Sequence, residues 1–229
     1  MSRRQIALST AAALAAAHPI AFGPDDLSRI VRWYGQSGLR IRLGGRIVWL
    51  DPVKVPAAEK ADLILITHDH GDHYSPADVA RLSGPATRIL VGFDGSAFER
   101  IRPGDRRSLG ELAIEAVPAY NVVKAQRHPK SAGYCGFILS AGGLRLYDAG
   151  DTERIPEMKG ISCDVAFLPL GQTYTMGSVA EAAQAALDVK ARIAVPVHFG
   201  LYEGSEADAK EFARLLEGKV EVVRLERRK

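Results

Sequence analysis

Apolar and polar residues alternate through Leu39-Arg40-Ile41-Arg42-Leu43, and Arg46-Ile47-Val48-Trp49-Leu50 follows after Gly44-Gly45. Alternation with period two puts every second side chain on one face, and paired glycines supply the positive φ of a tight turn. The stretch therefore predicts a β-hairpin. Residues 62–67 form a continuous apolar run, the pattern of a buried strand. Further strands are predicted at 88–91, 112–117, 137–140, 144–147, 165–168, 193–197 and 220–225, with Gly142-Gly143 as another turn. Helix starts are marked by Ser75-Pro76-Ala77-Asp78, by the capping box Ser178-Val179-Ala180-Glu181, and by Ser205 before 206–217; Gly84-Pro85 and Gly218 supply stops. The pattern reads as β-rich from about Leu27 onward, with helices inserted between runs of strands. Such an order argues for sheets with helices packed outside them.

The N-terminus differs from the rest. Ser2-Arg3-Arg4 precedes an uncharged, Ala-rich stretch over 6–17 that ends in Ala15-Ala16-Ala17. Paired arginines, a mild apolar region and small residues resemble a twin-arginine signal peptide. An Ala-rich helix is the other reading of residues 1–21, so an exported (periplasmic) and a cytoplasmic location both remain open. Residues 22–229 read as one domain.

Composition adds mainly exclusions. Thirty Lys and Arg against 27 Asp and Glu leave a charge of +3, too small an excess to mark a nucleic-acid binder. Two cysteines exclude a disulfide scaffold and a Cys-rich zinc finger, and Cys135 and Cys163 are expected to be unpaired and buried. No apolar run reaches the ~18–20 residues of a membrane span.

The six histidines matter more, because His68, His70 and His73 crowd into Thr67-His68-Asp69-His70-Gly71-Asp72-His73, directly after an apolar strand. In extended backbone His68 and His70 point the same way, and Gly71 lets the chain turn to bring Asp72 and His73 back. Imidazole and carboxylate together suit one or two divalent ions: Zn²⁺ first, with Mn²⁺ or Fe²⁺ also accommodated.

This His-x-His-x-Asp-His element resembles the signature of the metallo-β-lactamase fold superfamily. The likeness extends to Trp33-Tyr34-Gly35-Gln36-Ser37, Leu50-Asp51-Pro52, Ala149-Gly150-Asp151-Thr152 and Val195-Pro196-Val197-His198-Phe199-Gly200. Pro118-Ala119-Tyr120-Asn121, His128-Pro129-Lys130, 155–159 and 173–176 are similar to the small branch related to ascorbate-6-phosphate lactonase and N-acyl-phosphatidylethanolamine phospholipase D. The resemblance implies an α/β (α+β) fold, a four-layer αββα sandwich of two mixed β-sheets with helices on the outer faces. It implies His68 and His70 on a first metal, Asp72, His73 and His198 on a second, and Asp151 bridging them. A hydroxide generated on the metals would be the nucleophile, with Asp72 or Asp151 accepting the proton. Asp51 and Thr67 would orient the ligands.

One departure stands out. Many relatives place a third His of the first metal site where this chain has Tyr120-Asn121. Either His128 enters from the loop or Asn121 offers a carbonyl oxygen, and His128 is favoured. Lys124, Arg127, His128 and Lys130 suggest a basic lid, Tyr174 is a candidate pocket residue, and Asp148 and Glu153 read as structural. The implied activity is a metal-dependent hydrolase of a small anionic ester, lactone or phosphodiester. A degenerate metal-binding module is the alternative, and a nuclease, or any nucleic-acid partner, is the weaker one.

Overall fold

The computed structural model describes residues 22–56 and 59–228. Residues 1–21, to which the signal-peptide reading belongs, lie outside them. In chain order the elements are α1 (Pro24–Ile30), β1 (Val31–Trp33), β2 (Leu39–Leu43), β3 (Arg46–Leu50), β4 (Leu63–Ile66), α2 (Pro76–Leu82), β5 (Arg88–Val91), β6 (Glu99–Arg100), β7 (Arg106–Leu109), β8 (Leu112–Pro118), β9 (Cys135–Ala141), β10 (Leu144–Asp148), β11 (Val165–Pro169), α3 (Val179–Asp188), β12 (Ile193–Val197), α4 (Glu206–Leu216) and β13 (Glu221–Val222).

The strands form two mixed sheets, a six-stranded one in the order β1 to β6 and a seven-stranded one in the order β13 to β7. The first pairs β2 with β3 antiparallel in the predicted hairpin, then β3, β4 and β5 parallel. The second runs antiparallel through β7, β8, β9 and β10 and parallel from β10 through β11, β12 and β13.

Strand parity explains the layers. Val48 and Leu50 of β3, Leu63 and Leu65 of β4 and Leu90 of β5 join the large core shared with β8–β12. Their sequence neighbours Trp49, Ile64, Ile66 and Val91 instead join a second cluster with Val79 and Leu82 of α2. A strand covered on both faces needs no polar positions, which is why β4 is written Leu-Ile-Leu-Ile. On the other side α3 buries Ala182, Ala183, Ala185 and Ala186, and α4 buries Ala209, Phe212 and Leu216, completing the αββα order.

The helix caps work as their sequences suggest. Ser75, Ser178 and Ser205 accept from the backbone N–H three residues on. The Ser178 box is only half closed, because the Glu181 carboxylate accepts from Arg154 and Gly177 N–H instead. The chain also departs from the sequence reading in three places. The stretch from Leu27 opens as helix, not strand. Its start is Pro24 at the first turn, with Asp26 accepting from Gly23 N–H at 3.2 Å. The strand expected over 220–225 shortens to Glu221–Val222. Strands β6 and β7, rich in Arg and Glu, carried no apolar signal.

Gly92 shows how closely the sheet supports the segment after β4. Its N–H donates to Ile66 O at 2.7 Å. A Cβ there would lie 2.0 Å from Thr67 O. Gly92→Ala is therefore expected to displace the backbone at Thr67 and lower stability by about 1–3 kcal/mol, read from urea unfolding; an unchanged midpoint would reject the close approach.

Candidate metal centre

The site forms where strand ends of both sheets meet. His68, His70, Asp72 and His73 follow β4, His128 lies on the loop between β8 and β9, Asp151 follows β10, and His198 follows β12. The turn after β4 closes with His73 and Tyr74 N–H both donating to His70 O at 2.9 Å. His198 has a left-handed backbone, φ 56°, and its N–H donates to Gln36 O at 2.9 Å, which turns the ring back toward the other sheet.

Two groups of donor atoms converge. In one, His70 Nδ1 lies 3.1 Å from His68 Nε2 and 3.3 Å from His128 Nε2. Asp151 Oδ2 sits 3.8 and 3.6 Å from the same His68 and His128 atoms. In the other, Asp151 Oδ1 is 3.3 Å from His73 Nε2 and 3.2 Å from His198 Nε2. Asp72 Oδ2 is 3.6 and 3.5 Å from those two nitrogens. Donors held about 2.0–2.2 Å from one cation stand about 3.0–3.5 Å apart in tetrahedral or octahedral arrays, so both groups have the spacing of ligand sets.

The hydrogen-bond accounting agrees. His73 Nε2 and Asp151 Oδ1 are buried and make no hydrogen bond although they are close neighbours. Two buried polar atoms that face each other without a hydrogen bond are costly unless a proton or a metal ion stands between them. Both rings have outer partners. Asp51 Oδ2 lies 2.7 Å from His73 Nδ1, so Nδ1 carries a proton and Nε2 is the nitrogen that faces inward. Glu203 Oε1 lies 3.1 Å from His198 Nδ1, on the outer side of that ring.

The charges favour a cation here. Burial opposes charge on His73, yet Asp151 and Asp51 outweigh it and raise its pKa to about 10. His198 moves the same way against burial, through Asp151, Asp72 and Glu203. Burial resists ionisation of Asp72, but His198 and His73 bring it down to about 2. His68 shifts the other way: burial, reinforced by the neighbouring His73, keeps it neutral.

Asp51 is the support beneath. It is buried, with φ 42°, and accepts from Thr67 N–H at 2.8 Å and Thr67 Oγ1–H at 2.6 Å. Thr67 Oγ1 lies 2.9 Å from His68 Nδ1 and receives its proton. One carboxylate thus orients both His68 and His73.

The structure brings together all seven residues that the sequence suggested as ligands. Asn121 stands behind His128, its Nδ2 3.2 Å from His128 Nδ1 and donating to Tyr174 O at 2.7 Å. The basic-lid reading needs correction. Lys124 donates into Gln172 O and Met176 O, and Lys130 pairs with Glu157 at 2.8 Å. Arg127 and His128 of that group line the pocket of about 540 Å³, beside Tyr174 and Tyr202. Two functional positions escaped the sequence reading. Gln36, also with φ 48°, puts Nε2 3.0 Å from Asp72 Oδ2 and 2.9 Å from His198 Nε2. Glu203 holds His198 from outside. The Gly35-Gln36 turn offered a weak signal for the first; an isolated Glu in a loop offered none for the second.

Comparison with known proteins decides the family. A family model described as a beta-lactamase superfamily domain matches residues 30–198. The chain belongs to the metallo-β-lactamase superfamily. It is 36% identical to a UPF0173 metal-dependent hydrolase of Archaeoglobus fulgidus over 75% of this chain and 81% of that one. A Thermococcus kodakarensis member of the same UPF0173 group is 33% identical over 86% and 96%. Among solved structures, one from Parabacteroides distasonis, described as a candidate metal-dependent hydrolase, superposes with TM-score 0.78 at 34% identity, covering 86% and 93%. A metallo hydrolase of Ignicoccus hospitalis shares the fold at TM-score 0.72 and 24% identity, over 87% and 95%. Like these superfamily relatives, the chain is a metal-dependent hydrolase.

Asn tolerates a left-handed backbone, so Asp51→Asn preserves the turn and removes the charge. It is expected to weaken metal binding by about 10–100-fold, measured by chelator competition. An affinity equal to that of the parent protein would show that Asp51 does not tune the centre.

Proposed function

We propose that residues 22–229 act as one domain that holds two divalent cations, Zn²⁺ first among the candidates, and hydrolyses a small anionic ester, lactone or phosphodiester. The observation that carries this reading is the Asp151 carboxylate, whose two oxygens face two separate donor groups. His68, His70 and His128 would hold the first cation, Asp72, His73 and His198 the second, with Asp151 shared. Charge supports two ions. Asp51, Asp72, Asp151 and Glu203 all contact imidazoles of the network, so two dications would match four carboxylates and take the place of the protons that these carboxylates favour on His73 and His198.

When bound, such cations acidify a coordinated water and polarise a carbonyl or phosphoryl oxygen. The chain supplies the rest. Asp151 is buried and committed on both oxygens. Asp72 lines the pocket with its side chain 27% exposed, which makes it the better placed of the two to accept a proton from the attacking water. Gln36 holds the same carboxylate through its amide. Arg127 is the one lysine or arginine among the pocket-lining residues and can receive one anionic group. That single cation suits a small anion better than a polyanionic strand, which needs several.

The test joins metal analysis to a hydrolysis screen over phosphodiesters, phosphorylated lactones and thioesters. Chelation should abolish turnover and added divalent metal should restore it. Asp151→Ala should lose most of both ions, and His128→Ala one. Turnover that survives chelation, or Asp151→Ala with full stoichiometry, would overturn the mechanism.

A further inference from the structure

The large hydrophobic side chains exposed among the described residues are Val122, Val123, Tyr174, Leu201 and Tyr202, at 57, 85, 38, 45 and 58%. They lie on three loops, those after β8, β11 and β12, which are tied to one another by Asn121 on Tyr174 O and by Glu203 on Thr173 and Tyr174 N–H. Tyr174 and Tyr202 line the pocket itself, and Leu201 and Tyr202 line a small adjoining recess with Gln36 and Asp72. Scattered apolar residues on a surface need no explanation, but their concentration around one opening marks a contact surface.

These side chains are held outward by built structure. The buried Glu153 carboxylate accepts from the N–H groups of Val122, Val123 and Lys124 at 2.7, 2.6 and 3.1 Å. The Glu203 side chain, 4% exposed, accepts from Thr173 and Tyr174 N–H at 2.9 and 3.0 Å. Asn121 bridges the two walls through Tyr174 O. Lys54 donates to the Tyr202 hydroxyl at 3.1 Å, and Arg127 lies over the Tyr174 ring at 4.8 Å. The loops after β8 and β11 therefore have backbone N–H groups tied down by buried carboxylates while their apolar atoms meet solvent. A rim prepared in this way binds without first being ordered.

We propose that this rim receives an apolar chain or ring carried by the substrate, next to the anionic group that Arg127 takes. The substrate class is thus an amphiphilic acyl or aryl anion, not a wholly polar metabolite. The charge fits that occupant: Arg127 is the cation of the pocket lining, and Lys54, bonded to the Tyr202 hydroxyl, adds a second at the rim. The assignment of the hydrolysable bond rests on the hydrolase reading; the apolar contact does not.

The probe is a series of n-alkylphosphonates from methyl to octyl, which are not hydrolysed, titrated calorimetrically into the metal-loaded protein. Affinity should rise about two- to fourfold per methylene until the rim is covered. Val123→Ser with Leu201→Ser should flatten that dependence with metal content unchanged. A flat series in the parent protein overturns the proposal. So does sedimentation with phosphatidylcholine/phosphatidylglycerol vesicles together with a flat series, which would make the rim a membrane contact. Dimerisation relieved by Val123→Ser, again with a flat series, would assign the rim to a second copy. A rising series with no turnover in the hydrolysis screen would remove the ester, lactone or phosphodiester reading and leave the rim standing; turnover with a flat series would do the reverse.

Discussion

The Asp51 carboxylate is the interaction on which both the fold's upper edge and its chemistry depend. It ends β3 in a left-handed backbone that few non-glycine residues adopt, and it is buried. In return it accepts three hydrogen bonds at once, from Thr67 N–H, Thr67 Oγ1–H and His73 Nδ1–H. The parallel pairing of β3 and β4 brings the two strand ends together, and Asp51 converts that register into the orientation of two imidazoles. An apolar residue there would leave those donors unpaired in an apolar surround, a cost of about 1–3 kcal/mol for each group.

From that anchor the site extends across the sandwich. The first sheet contributes the cluster after β4, and the second contributes Asp151 and His198 from the ends of β10 and β12. Neither sheet alone carries a full donor set. The large core between the sheets therefore has a functional consequence: it fixes the spacing of Asp151 against His73 and His68. Loss of core packing would be felt as loss of metal affinity before any ligand was changed.

What could be read from the sequence was local. The Gly44-Gly45 turn, the three serine caps and the crowded histidines each express their physics within a few residues, and the structure places them accordingly. The α1 start was equally local, with Pro24 and Asp26 in its first turn, but the apolar positions beyond it were read as strand. Distance hid the rest. Gln36 meets His198 across 162 positions and Asp72 across 36. Glu203 is marked in sequence only as a carboxylate in a Gly-flanked loop, and its role appears when the end of β12 brings His198 within 3.1 Å. Lys124 shows the reverse error: its charge suggested a ligand for substrate, while folding turns it onto two carbonyl oxygens.

Glu153 and Glu203 share one device. Each is a buried acid that collects N–H groups from a surface loop, so each loop keeps its backbone shape whatever its outward side chains are. Glu203 has a further part, because it also lies against the outer nitrogen of His198. The loop that carries Tyr174 and the ring that faces Asp72 are thus held by one carboxylate. That arrangement separates two demands. The inner network needs fixed distances and fixed protons, while the rim needs only a stable platform for apolar atoms. Substrate preference can then be altered at Val122, Val123, Leu201 or Tyr202 without moving a donor atom, whereas a change at Glu203 would disturb rim and centre together.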